Sequence, residues 1–210
     1  MRLAVFASGS GTDFQALVQA SRDHDLGWEV ALLITNNAEA GAIDRAKLFR
    51  VPFRCINRQD FTDRDAFLVE LQKALAELHI DFIALAGYLR KIPPEIVRQY
   101  RHRIINIHPA LLPMFGGKGY FGRKVHEAVL AAGCKVTGVT VHLVDEEYDQ
   151  GGIVAQRCVP VYDADDAESL SKRVLEVEHQ FYPEVVTWFA QGKVKVVSGK
   201  VMVDKTREQT

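Results

Sequence analysis

Two polar side chains, Asn106 and His108, stand at the end of an apolar run over residues 103–107 that predicts a buried strand. Residues i and i+2 of a strand project from the same face, so the amide and the imidazole are expected side by side. Pro109 follows directly and cannot continue the hydrogen-bonded ladder. An amide N–H can donate to an oxyanion, and an imidazole can transfer a proton near neutral pH. The tripeptide therefore predicts a catalytic centre at a strand end.

The sequence Ser-Gly-Ser-Gly-Thr-Asp at residues 8–13 lies between the first predicted strand and the first predicted helix. Small residues let backbone N–H groups approach a ligand, and a helix N-terminus favours a phosphate. The turn departs from the dinucleotide-binding fingerprint because Phe14 occupies the third glycine position, and no P-loop motif is present. Two interpretations stay open here: a phosphate-binding turn, or a tight turn whose Thr12 or Asp13 caps the helix. Asp13 would repel a phosphate unless its carboxylate points away.

The acidic residues 145–152 end in two glycines and follow a strand-like run that contains His142. One interpretation is an acidic hairpin loop. The other sets Asp149 near the imidazole of His108, where a carboxylate would raise the pKa of the ring. Alternation places Thr140 and His142 on one face, and a strand histidine is usually only hydrogen-bonded in place. A metal site built from His108, His142 and Asp149 is not expected, because no short ligand spacing supports it.

Apolar runs that predict strands alternate with segments that predict helices. Strands are expected at residues 3–7, 29–35, 53–56, 82–86 and 104–107, and helices start near residues 13, 41, 63 and 93. Continuously apolar strands separated by helices indicate a parallel sheet covered on both faces. A glycine-rich segment at 116–123, either a substrate lid or a flexible connection, then precedes a helix near 124–131, strands at 135–144 and 153–161, and a long helix near 166–190. The predicted fold class is α/β: an open, mostly parallel Rossmann-like sheet with helices on both faces and a mixed C-terminal half.

The composition limits the classes of function. The 210 residues, 48% of them apolar and 25% charged, suit a single globular domain over residues 1–210. With 26 basic and 27 acidic residues, the net charge of −1 does not favour nucleic acid or a membrane surface as a partner. The apolar runs are too short to span a bilayer. Cys55, Cys134 and Cys158 show no C-x-x-C spacing, which favours structural cysteines in a reduced, cytoplasmic location.

Six features of the chain, in this order, resemble the folate-dependent phosphoribosylglycinamide formyltransferases. They are Ser-Gly-Ser-Gly at 8–11, Leu-Ala-Gly-Tyr-Leu-Arg at 85–90, Asn-Ile-His-Pro-Ala-Leu-Leu-Pro at 106–113, Gly-Val-Thr-Val-His at 138–142, Asp149 with its glycines, and Glu178-His179. The resemblance covers nearly the whole chain. It implies the formyltransferase fold and a step of purine biosynthesis, in which 10-formyltetrahydrofolate formylates the amine of glycinamide ribonucleotide and tetrahydrofolate is released, without a metal.

The resemblance also implies roles for individual residues. Asn106 would hold the oxyanion, His108 would donate the proton, and Asp149 would raise the pKa of His108 and help to move the proton. The N-terminal half would bind the ribonucleotide and the C-terminal half the folate. The implied ribonucleotide contacts are Gly11, Thr12 and Asp13 for the phosphate and Glu178 for the ribose. The implied folate site is lined by Arg64, Leu89, Arg90, Lys91, Ile92, Asn106, Asp145, Glu146, Glu147, Tyr148 and Asp149. Asp13 stands where the family commonly has Asn.

Three other functions compete with this interpretation of the sequence. A methionyl-tRNA formyltransferase would need an added tRNA-binding domain and a basic surface, for which this chain has neither the length nor the charge. A formyltetrahydrofolate deformylase usually carries an extra N-terminal regulatory domain, whereas the first catalytic strand is expected here from residue 2. A non-catalytic nucleotide-binding module would leave Asn106 and His108 unexplained. The expected partners are small-molecule substrates, with the chain as a monomer or homodimer.

Overall fold

The computed structural model describes residues 1–23 and 25–204, which form strands and helices in the predicted alternation. The strands are β1 Arg2–Phe6, β2 Glu29–Thr35, β3 Phe53–Cys55, β4 Phe82–Leu85, β5 Ile104–His108, β6 Val136–Leu143, β7 Ile153–Pro160, β8 Val194–Val197 and β9 Lys200–Val203. The helices are α1 Thr12–Asp23, α2 Gly41–Leu48, α3 Arg64–Glu77, α4 Pro94–Gln99, α5 Arg123–Ala131 and α6 Ala167–Ala190. A 3-10 turn covers Arg58–Asp60.

Seven of the strands form one sheet in the order β3-β2-β1-β4-β5-β6-β7. The pairs among β1 to β5 are parallel, whereas β6 runs antiparallel to both β5 and β7. Strands β8 and β9 form a separate hairpin. The predicted α/β class, with a mixed C-terminal half, is confirmed. In the described part of the chain, no helix combines the length and the apolar character needed to cross a membrane.

Alternation along β1 supplies two hydrophobic cores, one on each face of the sheet. Leu3 and Val5 belong to the core that also contains buried residues of α1, α2, α5 and α6. Ala4 and Phe6 belong to the core formed with α3 and α4. Burying a side chain of the size of leucine or phenylalanine contributes about 1.5–3 kcal/mol, so both faces of the strand stabilise the sheet. The two cores explain why β1 is apolar throughout.

The strand order reverses at β1, which is hydrogen-bonded to both β2 and β4. Ligands of open α/β sheets bind outside the carboxyl ends of the strands at such a point. The turn at residues 8–13 follows β1, the segment with Leu89 and Arg90 follows β4, and Asn106 and His108 end β5. The topology therefore gathers three of the segments singled out in the sequence at one edge of the sheet.

Candidate active site

The antiparallel pairing of β5 with β6 places Asn106 opposite His142. The Nδ1–H of His142 donates to the carbonyl oxygen of Leu143 at 2.9 Å, which leaves Nε2 to accept a hydrogen bond. The side-chain Nδ2 of Asn106 lies 3.1 Å from that Nε2 and donates to it. His142 is 2% exposed and held at both nitrogens, so it positions the amide of Asn106 rather than presenting a free ring to a substrate.

His108 is buried at the end of β5, with an exposed fraction of 4%. Its Nε2 lies 2.8 Å from the carbonyl oxygen of Phe115, so this nitrogen carries the proton and donates. The other nitrogen, Nδ1, lies 3.8 Å from Oδ2 of Asp149. Because Nε2 is committed to a backbone acceptor, Nδ1 is the nitrogen that can gain and lose a proton, and it faces a carboxylate.

Asp149 reaches the two histidines from the loop after β6, where its backbone adopts a positive φ of 55°. Its Oδ2 accepts the N–H of Gly117 at 2.8 Å, and its Oδ1 lies 3.4 Å from Nε2 of His142. The structure thus brings Asn106, His108 and Asp149 together, although they come from the end of β5 and the loop after β6. Their roles in catalysis stay predictions.

The ionisation of this pair differs in one respect from what the sequence suggested. Burial lowers the pKa of His108, and the carboxylate of Asp149 and the carbonyl of Phe115 oppose that effect without outweighing it. Asp149 therefore acts in the predicted direction, but the net pKa of His108 lies below its ordinary value rather than above it. Burial would raise the pKa of Asp149, yet the adjacent ring of His142, the hydrogen bond from the Gly117 N–H and the nearby His108 bring it below its ordinary value. At pH 7 a neutral imidazole faces an ionised carboxylate.

Thr140 and Gln156 hold the segment after His108, a role that no sequence pattern indicated. The hydroxyl of Thr140 donates to the carbonyl of Ala110 at 2.6 Å and accepts the N–H of Leu112 at 3.0 Å. The amide of Gln156 donates to the carbonyl of Leu112 at 2.9 Å and to Thr140 Oγ1 at 3.0 Å. The alternation of β6 had placed Thr140 on the face of His142, but only the strand register shows what the hydroxyl contacts.

His126 on α5 is a further buried histidine near the centre, and no sequence signal marked it. It is 3% exposed. Burial, with a smaller effect of the nearby His108, lowers the pKa of His126 to about 4. The ring is therefore neutral at pH 7 and adds no charge to the catalytic centre.

The turn at residues 8–13 is shaped by close packing against α2. Gly11 has a φ of 74°, and a Cβ at this position would lie 2.6 Å from Cα of Ala42, so only glycine fits. Gln15 donates its N–H to the Gly11 carbonyl at 3.0 Å, which starts α1 at Thr12. Ser8 accepts the N–H of Leu89 at 2.9 Å, which ties the turn to the segment after β4.

Asp13, in the first turn of α1, directs one carboxyl oxygen towards α6. Its Oδ1 lies 3.8 Å from Nε2 of His179, beside the buried carboxyl of Glu178. The structure therefore brings Asp13 and Glu178 together, and with them Gly11 and Thr12, at one end of α1. An ionised Asp13 would repel a phosphate at this turn, so the protonation state of its carboxyl decides whether the turn can bind one.

Two adjoining cavities lie beside the catalytic centre and share the side chains of Tyr88, Arg90, Lys91 and Ile92. The larger, of about 400 Å³, is also lined by Arg64, Arg58 and Phe67. The smaller, of about 80 Å³, reaches Asn106, His142 and Asp149. Together they run from a cationic outer end to the polar strand ends.

The acidic segment borders the smaller cavity together with residues 90–92. Asp145, Glu147 and Tyr148 line the smaller cavity, with Glu147 3.6 Å from Nζ of Lys91 and the Tyr148 ring 5.7 Å from the same ammonium. Two of the predicted residues lie elsewhere. Glu146 pairs with Arg98 at 3.1 Å, and the side chain of Leu89 is half exposed and lines neither cavity.

Comparisons with known proteins agree with this geometry. Residues 1–186 match the family model described as formyl transferase. A phosphoribosylglycinamide formyltransferase of Haemophilus influenzae is 34% identical over 97% of this chain and 93% of its own length. The chain belongs to the formyl transferase family.

Two more relatives place this formyl transferase within the family. The chloroplastic phosphoribosylglycinamide formyltransferase of Vigna unguiculata is 42% identical over 99% of this chain, which spans about two thirds of that relative's length. The crystal structure of glycinamide ribonucleotide transformylase 1 from Symbiobacterium toebii has a TM-score of 0.89 and 34% identity, covering 97% of this chain and 93% of that one. The formyl transferase described here is thus similar to phosphoribosylglycinamide formyltransferases over nearly all its residues.

The formyl donor of this family is 10-formyltetrahydrofolate, and the paired cavities of this formyl transferase fit such a ligand. Arg90, Lys91 and Arg64, which pairs with Glu95 at 2.6 Å, are the cations of these cavities, Phe67 and Ile92 are apolar lining, and Asn106 lines the smaller cavity. Within residues 1–23 and 25–204, no group of three or more His, Cys, Asp or Glu side chains is placed to hold a metal ion.

Proposed function

We propose that this chain transfers the formyl group of 10-formyltetrahydrofolate to the amine of N1-(5-phospho-D-ribosyl)glycinamide, in de novo purine biosynthesis. The products are the formylated ribonucleotide and tetrahydrofolate. The observation that carries the proposal is the convergence of Asn106, His108 and Asp149 beyond the end of β5, beside a cavity that Asn106 and Asp149 line. The names of the relatives support the choice of acceptor.

The first chemical step is attack of the substrate amine on the formyl carbon, which forms a C–N bond and places negative charge on the formyl oxygen. The side chain of Asn106 is suited to donate a hydrogen bond to that oxygen. An amide carries two N–H groups, so one can hold His142 while the other faces the oxyanion. Donors of this kind contribute about 3–4 kcal/mol in acyl-transfer sites.

The second step breaks the bond between the tetrahedral carbon and N10 of the folate, which leaves with a proton. The attacking amine must lose one proton and the leaving nitrogen must gain one, so the site has only to move a proton from the first to the second. His108 is neutral at pH 7 and can take that proton on Nδ1, where the Asp149 carboxylate stabilises the charged ring. His108 then donates the proton to the leaving nitrogen, and both residues return to their starting state.

The two substrates are proposed to bind at opposite ends of the site. The turn of Gly11, Thr12 and Asp13, with Glu178 behind it, is proposed to bind the phosphoribosyl group. The cavities lined by Arg64, Arg90 and Lys91 are proposed to bind the folate.

We also propose that residues 1–210 act as one domain, because residues from Leu3 to Val186 pack in one core. A cytoplasmic location, the absence of nucleic-acid and membrane partners, and a monomer or homodimer stay predictions.

The test is whether tetrahydrofolate release depends on the acceptor. Absorbance of tetrahydrofolate should rise when 10-formyltetrahydrofolate and glycinamide ribonucleotide are both present. The dephosphorylated ribosyl glycinamide is the matched control, and it should react much more slowly because it cannot occupy the turn. A rise with water alone would identify a hydrolase instead, and no rise with either acceptor would indicate a binding module.

A further inference from the structure

The first turn of α1 and the middle of α6 bury two carboxyl groups against each other. Glu178 is 7% exposed, and the Oδ1 atom of Asp13 is shielded from solvent without a hydrogen-bond partner among the described residues. The Nε2 of His179, 3.8 Å away, is likewise shielded and unpartnered there. A buried carboxylate without donors is costly, so such a group favours its protonated, neutral form.

The other charged groups around the pair do not supply the missing donor. From α2, Arg45 directs its guanidinium to the Ser10 carbonyl at 2.8 Å and to the side chain of Gln15. From α6, the hydroxyl of Tyr182 donates to the Leu85 carbonyl at 2.9 Å. Burial lowers the pKa of His179, and Arg45 lowers it further, so the ring is neutral at pH 7.

The electrostatics of the two acids agree with this geometry. Burial raises the pKa of Asp13 to about 7. Burial also raises the pKa of Glu178 well above its ordinary value, and the nearby Asp13 adds to that effect. The pair therefore holds at least one proton near neutral pH, at the place where the proposed function puts a phosphate that carries a charge of about −1.5 to −2.

We propose that Asp13 takes part in phosphate binding as a protonated, neutral hydrogen-bond donor. The neighbouring carboxyl of Glu178 helps to keep Asp13 protonated. The inference rests on the proposed function, which places the ribonucleotide phosphate at this turn. An ionised Asp13 would repel the phosphate, whereas a protonated one has an O–H to donate and no charge. Asp13 is thus a binding residue whose protonation state sets the affinity for the ribonucleotide.

The consequence is a loss of ribonucleotide affinity as the pH rises. If only the protonated form binds, the apparent affinity follows the protonated fraction and falls about 25-fold between pH 6.5 and pH 8.5 for a group that titrates near 7. The phosphate itself titrates near pH 6 and becomes more charged in the same range, which alone would strengthen binding. The two effects have opposite signs and are therefore separable.

The experiment is calorimetric binding of the formylated ribonucleotide, which keeps the phosphate and ribose but lacks the titratable amine. We expect wild-type affinity to fall at least about fivefold from pH 6.5 to pH 8.5. Asp13→Asn supplies a permanent neutral donor and should show no such fall. Asp163→Asn is the matched control, because Asp163 is 90% exposed and pairs with Lys135, and it should behave as wild type.

If Asp13→Asn does not fold, a measurement on the wild-type protein alone still decides the inference. At pH 8, binding in buffers of different ionisation enthalpy should show uptake of about one proton. No uptake, or a smaller pH effect in wild type, overturns the inference, as does the same fall in Asp13→Asn, which would place the proton on Glu178 or His179. Failure of the acceptor assay on the same preparation would instead refute the proposed function.

Discussion

An aspartate lies 3.8 Å from a histidine at both ends of the site, yet the two carboxyl groups ionise in opposite ways. At the catalytic end, Oδ2 of Asp149 faces Nδ1 of His108, and at the phosphate end, Oδ1 of Asp13 faces Nε2 of His179. The pKa of Asp149 lies below its ordinary value, whereas burial raises the pKa of Asp13 to about 7.

The difference lies in the hydrogen bonds that each carboxyl receives. Asp149 accepts the N–H of Gly117 and lies beside His142, while Oδ1 of Asp13 has no partner among the described residues and a second carboxyl, Glu178, next to it. A nearby histidine is thus not sufficient to keep a buried carboxylate charged. The hydrogen-bond donors around each carboxyl decide whether it is ionised. The donors around Asp149 suit the proposed proton transfer, and the lack of them at Oδ1 of Asp13 suits the proposed binding of an anion.

The largest expected effect comes from removing the proton carrier at the catalytic end. His108→Ala should lower kcat about 10²–10⁴-fold, because the amine proton then has no positioned route to the leaving nitrogen. Steady-state formyl transfer measures this. The control is His102→Asn, an exposed position with a φ of 61° that asparagine tolerates, and its kcat should stay near wild type. A His108→Ala enzyme within tenfold of wild type would show that the proton takes another route.

The next prediction compares two buried threonine hydroxyls on β6, one with hydrogen-bond partners and one without a partner among the described residues. Thr140→Val removes the hydroxyl that joins Ala110, Leu112 and Gln156, and should lower the free energy of unfolding by about 1–3 kcal/mol. Thr137→Val is the matched control on β6, because its buried hydroxyl has no partner among the described residues. It should be neutral or stabilising. Urea unfolding measures both, and equal losses would contradict the role given to the Thr140 hydrogen bonds.

A smaller effect tests the influence of Asp149 on its histidine. Asp149→Asn should move the pKa of His108 still further below its ordinary value, because the carboxylate that opposes burial is gone. The neutral ring then persists to lower pH, and kcat should fall because protonated His108 forms less readily. The titration of the His108 ring by NMR checks the direction. An unchanged or higher pKa would mean that the two side chains do not interact electrostatically.

The local elements of this fold could be predicted well, because apolar runs and their spacing are properties of the sequence itself. Each predicted strand and helix boundary lies within about one residue of the observed one. Asn106 and His108 were placed together because their separation of two residues fixes a common strand face. The resemblance supplied the distant partners Asp149 and Glu178, which spacing alone would not have joined to them.

What could not be predicted depends on how distant segments pair. The antiparallel register of β5 and β6 sets His142 opposite Asn106 and brings the Thr140 hydroxyl to the segment after His108. The net pKa of His108 depends on how deeply the ring is buried, which no local pattern contains. Likewise, Asp13 faces Glu178 only because α1 packs against α6. Register, burial and helix packing are set by the whole fold, so these features emerge only in three dimensions.

The most direct test of the contrast between the two ends is a carboxyl titration by NMR, with ¹³C-labelled aspartate and assignment through Asp13→Asn and Asp149→Asn. We expect the Asp149 carboxyl to stay ionised from pH 5 to pH 8 and the Asp13 carboxyl to titrate near pH 7. An Asp13 carboxyl that is ionised over this whole range, or an Asp149 carboxyl that takes up a proton within it, would show that the two ends do not differ as described.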